Sequence, residues 1–99
     1  MDERNKLILL YDYYGELLSD SQKRYFEDYY FNNLSLGEIS EELSISRNAV
    51  HKQIKSAIDK LLFYEEKLKI ISKNTSLINK INELDDIKIK DELIKIIEG

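Results

Sequence analysis

Five side chains able to hydrogen-bond to nucleic acid crowd into one short stretch of this 99-residue chain: Arg47, Asn48, His51, Lys52 and Lys55. An arginine or lysine matches the paired acceptors of guanine, an asparagine amide matches adenine, and a longer cation reaches a phosphate. On that chemistry Arg47 and Lys52 suit guanine, Asn48 suits adenine, and Lys55 suits a phosphate. Projected at about 100° per residue, Asn48, Lys52 and Lys55 share one helix face with Asp59. Arg47 and His51 lie on one flank near the N-terminal end, and Val50, Ile54, Ala57 and Leu61 point the opposite way. Ser46, directly before the run, suits a helix N-cap because its hydroxyl can accept from an otherwise unpaired early amide. Ser46, Arg47, Asn48, His51, Lys52 and Lys55 are therefore the candidate nucleic-acid-binding residues. Any solvated helix can carry lysines, so the face by itself does not name a ligand.

No other constellation competes with it. His51 is the only histidine and there is no cysteine, so a usual zinc site lacks ligands. Asp85-Asp86 and Glu41-Glu42 are adjacent pairs, and helix neighbours diverge too far to share a proton or a metal. Gly15 and Gly37 are isolated, without a phosphate-cradling glycine loop. The tyrosines at 11, 13, 14, 25, 29 and 30 could stack on bases, but most fall on amphipathic stripes and read as core, with Tyr13 the exposed exception. A non-enzymatic chain follows, with no catalytic residue, metal or cofactor.

The helix that presents the run needs a scaffold, and the surrounding pattern supplies one. Leu7, Leu10, Tyr11, Tyr14, Leu17 and Leu18 predict a helix over 3–18. Ser19 with Gln22 forms a capping-box pattern, and Asp20 to Phe31 predicts a second helix packing through Tyr25, Phe26, Tyr29 and Tyr30. Asn32-Asn33 ends it. Ser35 with Glu38 repeats the capping box before a short third helix, Leu36 to Leu43. The turn Ser44-Ile45-Ser46 then leads into the long fourth helix. In a helix-turn-helix the inner position of the first helix is small, which Ser40 satisfies. Ile45 is placed to be buried in the turn and Val50 to anchor the second helix. Ser44 stands where such turns often carry glycine. The apolar face of the fourth helix extends to about Ser72. Asn74-Thr75-Ser76 then reads as the cap of a fifth helix, and Asp85-Asp86 as the cap of a sixth.

The expected fold is all-α: one domain over 1–99, a helix-turn-helix core over 19–64 with a long recognition helix, and a C-terminal helical extension over 65–99. The chain has 42% hydrophobic and 34% charged residues, no proline and three glycines, which permits long helices and disfavours a many-turned β architecture. No stretch approaches the roughly 20 apolar residues of a spanning helix, so the expected address is cytoplasmic and no membrane partner is expected. Net charge is −4, yet Ser46 to Leu61 holds Arg47, Lys52, Lys55 and Lys60 against Asp59 alone. A fourth helix reaching beyond a compact bundle needs cover for its outer half, which makes a homodimer an expected assembly.

The pattern over 19–64 resembles region 4 of bacterial sigma factors, in Leu36-Gly-Glu-Ile-Ser-Glu-Glu-Leu43, Ile45-Ser-Arg-Asn-Ala-Val50 and Ala57-Ile-Asp-Lys-Leu61. The chain is too short for a complete sigma factor. The whole chain resembles the YlxM family of small helix-turn-helix proteins, in Tyr11–Leu18, Tyr29-Tyr30-Phe31, Ser46-Arg-Asn-Ala-Val-His51 and Leu61-Leu-Phe-Tyr-Glu-Glu-Lys-Leu68. That resemblance implies an accessory or regulatory part in the signal recognition particle pathway. The implied partners are the particle's RNA or duplex DNA, and the particle protein Ffh. A sequence-specific transcription regulator and a protein-docking adaptor are the alternatives.

Overall fold

The computed structural model describes residues 2–99, which form two compact units, Met1–Lys67 and Leu68–Gly99. In the first unit α1 spans Glu3–Tyr14, α2 Asp20–Tyr30, α3 Leu36–Leu43 and α4 Arg47–Leu68, the last ending at the boundary. The second unit holds α5, Ile70–Ile81, and α6, Ile87–Glu98. No strand occurs among the described residues, and no helix is long and apolar enough to cross a membrane.

Local chemistry starts most of these helices. The Asp2 side chain accepts from the Asn5 amide at the head of α1, and Asp86 accepts from Ile89 at the head of α6. Both capping boxes are present: Ser19 with Gln22 opens α2, and Ser35 with Glu38 opens α3. Asn33, after α2, has a φ of 56°.

The first and fourth helices differ from the expectation. The first stops at Tyr14 and tightens into a 3-10 turn at Gly15–Leu17. This shifts the phase, leaving Leu17 exposed while Leu18, in extended backbone before the Ser19 cap, is buried. The fourth helix stops at Leu68, where Lys69 adopts a φ of 56°. Asn74-Thr75-Ser76 therefore lies inside α5 and not at its start. Had the helix run on, Ile70 would project about 200° from Leu68, on the wrong side of the stripe; the break resets the phase.

Two apolar clusters hold the first unit. One is aromatic: fully buried Phe26 stacks on Tyr11 with centroids 4.5 Å apart and rings 5° from parallel, and it meets Tyr30 at 4.6 Å. Burial, reinforced by Glu27, pushes the Tyr11 hydroxyl up to about 12. The other cluster is the helix-turn-helix core of Ile39, Val50 and Ile54, flanked by Tyr25, Tyr30, Leu36 and Ile45. Tyr30 touches both. Polar ties add register: Gln22 donates to Ser56 Oγ and accepts from Lys60 Nζ, and buried Tyr14 donates to the Glu65 carboxylate.

The turn between α3 and α4 closes as a Schellman motif. Ser44 N–H donates to the Glu41 carbonyl and Ile45 N–H donates to the Ser40 carbonyl, with Ser44 at φ 56°. Ile45 packs against the core cluster, and Ser40 is buried with its hydroxyl donating to the Gly37 carbonyl. A non-glycine residue in this region carries strain of about 1 kcal/mol. Ser44→Gly is accordingly expected to raise the urea midpoint, by the equivalent of ~0.5–1 kcal/mol, and Ser44→Val to lower it. A Ser44→Gly protein less stable than the parent would show that the serine contributes more than its backbone strain costs.

In the second unit Ile81 is buried, and Lys90 Nζ donates to the Asn82 carbonyl across the turn between α5 and α6.

Candidate nucleic-acid interface

Ser46 caps α4. Its Oγ accepts from the Ala49 amide, and its carbonyl receives the Val50 amide, so it fixes where α4 begins. From that fixed start Val50, Ile54, Ala57 and Leu61 are buried. Their burial dictates the rotation of the helix and turns Asn48, Lys52, Lys55 and Asp59 outward, where all four are exposed. Asn48 to Lys55 covers about 10 Å of helix axis, at 1.5 Å per residue. Asn48, Lys52 and Lys55 thus share one solvent-facing strip.

Arg47 and His51 leave that strip. Arg47 lays its guanidinium across α3 at Gly37, where a Cβ would stand 2.9 Å from Nη2 and 3.1 Å from Cζ. The bare glycine backbone is what admits it. Arg47 is thus held against α3, whereas Asn48 and Lys52 stand exposed on the strip. His51 lines a hollow of about 200 Å³ together with Tyr29, Tyr30 and Lys55. The sequence singled out His51 and Lys55 without this hollow, and it missed Gly37. Their signals were an isolated helical glycine and a tyrosine pair that also fits core packing.

The cations of α2 and α4 differ in availability. On α2, Lys23 pairs with Glu16 at 3.1 Å, and Arg24 pairs with Glu42 at 2.9 Å and lies 3.8 Å from Asp28. Their charge is compensated within the fold. Among the described residues no ion pair engages Arg47, Lys52 or Lys55. A chain of net negative charge therefore keeps two lysines without an ion pair on the outward face of α4. No group of three His, Cys, Asp or Glu residues able to hold a metal occurs among the described residues.

Comparison with known proteins agrees with this architecture. Residues 1–98 match the family model UPF0122, described as YlxM / p13-like helix-turn-helix proteins. A UPF0122 protein of Caldanaerobacter subterraneus subsp. tengcongensis is 50% identical over 80 residues, covering 81% of this chain and 68% of that protein. One from Listeria welshimeri is 39% identical over 102 residues, covering 93% and 92%. One from Fusobacterium nucleatum is 37% identical over 99 residues, covering 100% and 96%.

Proposed function

Because the chain belongs to the UPF0122 family of YlxM / p13-like helix-turn-helix proteins, we propose that it is a non-enzymatic nucleic-acid-binding protein that sets the first turns of α4 in the major groove of duplex DNA. The observation that carries this is the exposed strip Asn48–Lys52–Lys55, held outward by the burial of Val50, Ile54 and Ala57, whose two lysines form no ion pair among the described residues. A B-form major groove admits an α-helix; an A-form RNA major groove is too deep and narrow. Lys52 donates to guanine acceptors, Asn48 pairs with adenine, and Lys55 reaches a phosphate. Arg47 joins them after leaving Gly37, and Ser46 acts indirectly, through the cap. With Asp59 on the same face, the grip is selective and depends strongly on salt.

The setting we propose is the cytoplasm, as an accessory of the signal recognition particle pathway, on the strength of the family likeness alone. The particle's RNA is then a competing ligand, engaged through loops and phosphates. Fluorescence anisotropy at several salt concentrations, against a duplex DNA pool, the particle RNA and purified Ffh, tests the assignment. The expected result is duplex binding that weakens steeply with salt and exceeds RNA binding at equal ionic strength. Binding to RNA alone would overturn the major-groove assignment, and binding to Ffh alone would make the helix-turn-helix a protein-docking device.

A further inference from the structure

The strip on α4 leaves unused a second surface of the first unit. Two hollows share Tyr29 and Tyr30 as walls. One, of about 200 Å³, is completed by Leu36, Ile54 and Ile58 with His51 and Lys55 at its edge. The other, of about 340 Å³, is completed by Leu34, Arg4, Asn33 and Ser35. Three observations bear on what fits them.

First, the interior is aliphatic. Leu36 and Ile58 are half-buried, and Ile54 is buried beneath them. Between the two tyrosine walls these three side chains offer apolar contact suited to an aliphatic side chain. Second, none of the residues lining either hollow is acidic, although the chain carries 19 acids; Glu3 acts on Tyr30 from outside the lining. Third, each hollow has a cation in its lining, Lys55 in the first and Arg4 in the second. Lys55 has no ion pair among the described residues, and Arg4 donates only to the uncharged Tyr30 carbonyl and Asn33 Oδ1.

We propose that this tyrosine-walled groove between α2, α3 and α4 docks an amphipathic helical segment of a partner protein, with aliphatic side chains entering the hollow and carboxylates facing Arg4 and Lys55. The mode is a helix laid in a groove, with apolar anchors giving affinity and charge complementarity giving orientation and selectivity. The first hollow has room for one or two aliphatic side chains. His51 and Lys55 border both this groove and the proposed nucleic-acid strip, so an acidic partner seated here excludes nucleic acid from the head of α4. The docking stands on the groove alone; the exclusion rests on the DNA-binding reading.

The experiment separates these two claims. A displayed library of 16-residue helical peptides is selected on the intact protein, then counter-selected on Tyr29→Ala and Ile58→Asp, two changes that spare Asn48 and Lys52. Circular dichroism melts confirm that each variant is folded, and Tyr29→Phe serves where Tyr29→Ala is not. The expected outcome is enrichment of peptides with aliphatic residues at i and i+4 flanked by Asp or Glu. Their affinity should fall at least tenfold on Ile58→Asp and be lost when their acids become lysines. Enrichment of basic peptides, equal binding to the groove variants, or no enrichment overturns the docking. Loss of oligo(dT) binding on the same variants, without peptide enrichment, would make the occupant a nucleotide and overturn it equally. Given docking, the enriched peptide should displace labelled duplex DNA; a ternary complex would overturn the exclusion. A protein that docks the peptide without binding any duplex would leave the docking standing and overturn the DNA-binding reading and the exclusion.

Discussion

Reversing charge at both Lys52 and Lys55 (K52E/K55E) should weaken duplex DNA binding by about a hundredfold at 0.1 M salt, at ~1.4 kcal/mol or more per contact. Removing the charge instead (K52Q/K55Q) should flatten the dependence of log affinity on log salt by about 0.9, because Lys55 is the proposed phosphate contact and each neutralised phosphate releases about 0.9 of a counterion. Both side chains are exposed and neither forms an ion pair among the described residues, so the fold loses no native partner. Stability should change by less than about 0.5 kcal/mol, as for most surface substitutions, and melting curves should overlay. Lys23 and Arg24 provide the internal control. Their charges are satisfied by Glu16, Glu42 and Asp28, so reversing them should disturb α2 more than DNA affinity. Unchanged duplex affinity in K52E/K55E would remove α4 as the recognition helix.

The same residues show what was legible in the chain before its fold was known. Ser19, Gln22, Ser35 and Glu38 act within one helical turn, so their type and spacing determined the two capping boxes, and the starts of α2 and α3 followed. The rotation of α4 was equally legible, because Val50, Ile54, Ala57 and Leu61 can share only one buried side. Helix ends were harder. Ser44 and Lys69 both sit at φ 56° where glycine would announce a stop. At Ser44 the neighbouring Ile45 and Ser46 still marked the turn. At Lys69 the flanking apolar residues concealed it, and α4 was expected to run too far. The candidate site was legible as a list of residues but not as a set of contacts. Nothing local tells that Arg47 folds back onto Gly37, ten positions earlier, or that His51 and Lys55 border Tyr29 and Tyr30 across two helices. Such proximities arise from the packing of α2 and α3 on α4, which the pattern implies only in outline.

That packing depends on one side chain more than on any capping residue. Phe26→Ala is expected to cost about 3–5 kcal/mol, the range for truncating a buried phenylalanine. Phe26 is fully buried, stacked on Tyr11 at 4.5 Å, against Tyr30 at 4.6 Å and 6.1 Å from Phe31. Aromatic pairs of this kind add about 0.5–1.5 kcal/mol beyond the area they bury, and alanine forfeits them. Small domains have roughly 5–15 kcal/mol in total, so the substitution removes a large share. At about 4–8 °C per kcal/mol for a chain of this size, the melting temperature should fall by more than about 10 °C. Phe26→Leu, which keeps most of the volume, should avoid most of the loss. The effect should reach DNA affinity only through the folded population, because fully buried Phe26 cannot itself touch nucleic acid. Affinity measured well below the variant's melting temperature should match the parent, and saturating duplex should recover part of the lost stability by mass action. A Phe26→Ala protein melting within about 3 °C of the parent would mean that α1 and α2 do not support the helix-turn-helix through this stack. A fully folded variant with reduced DNA affinity would instead place α2 in contact with the nucleic acid.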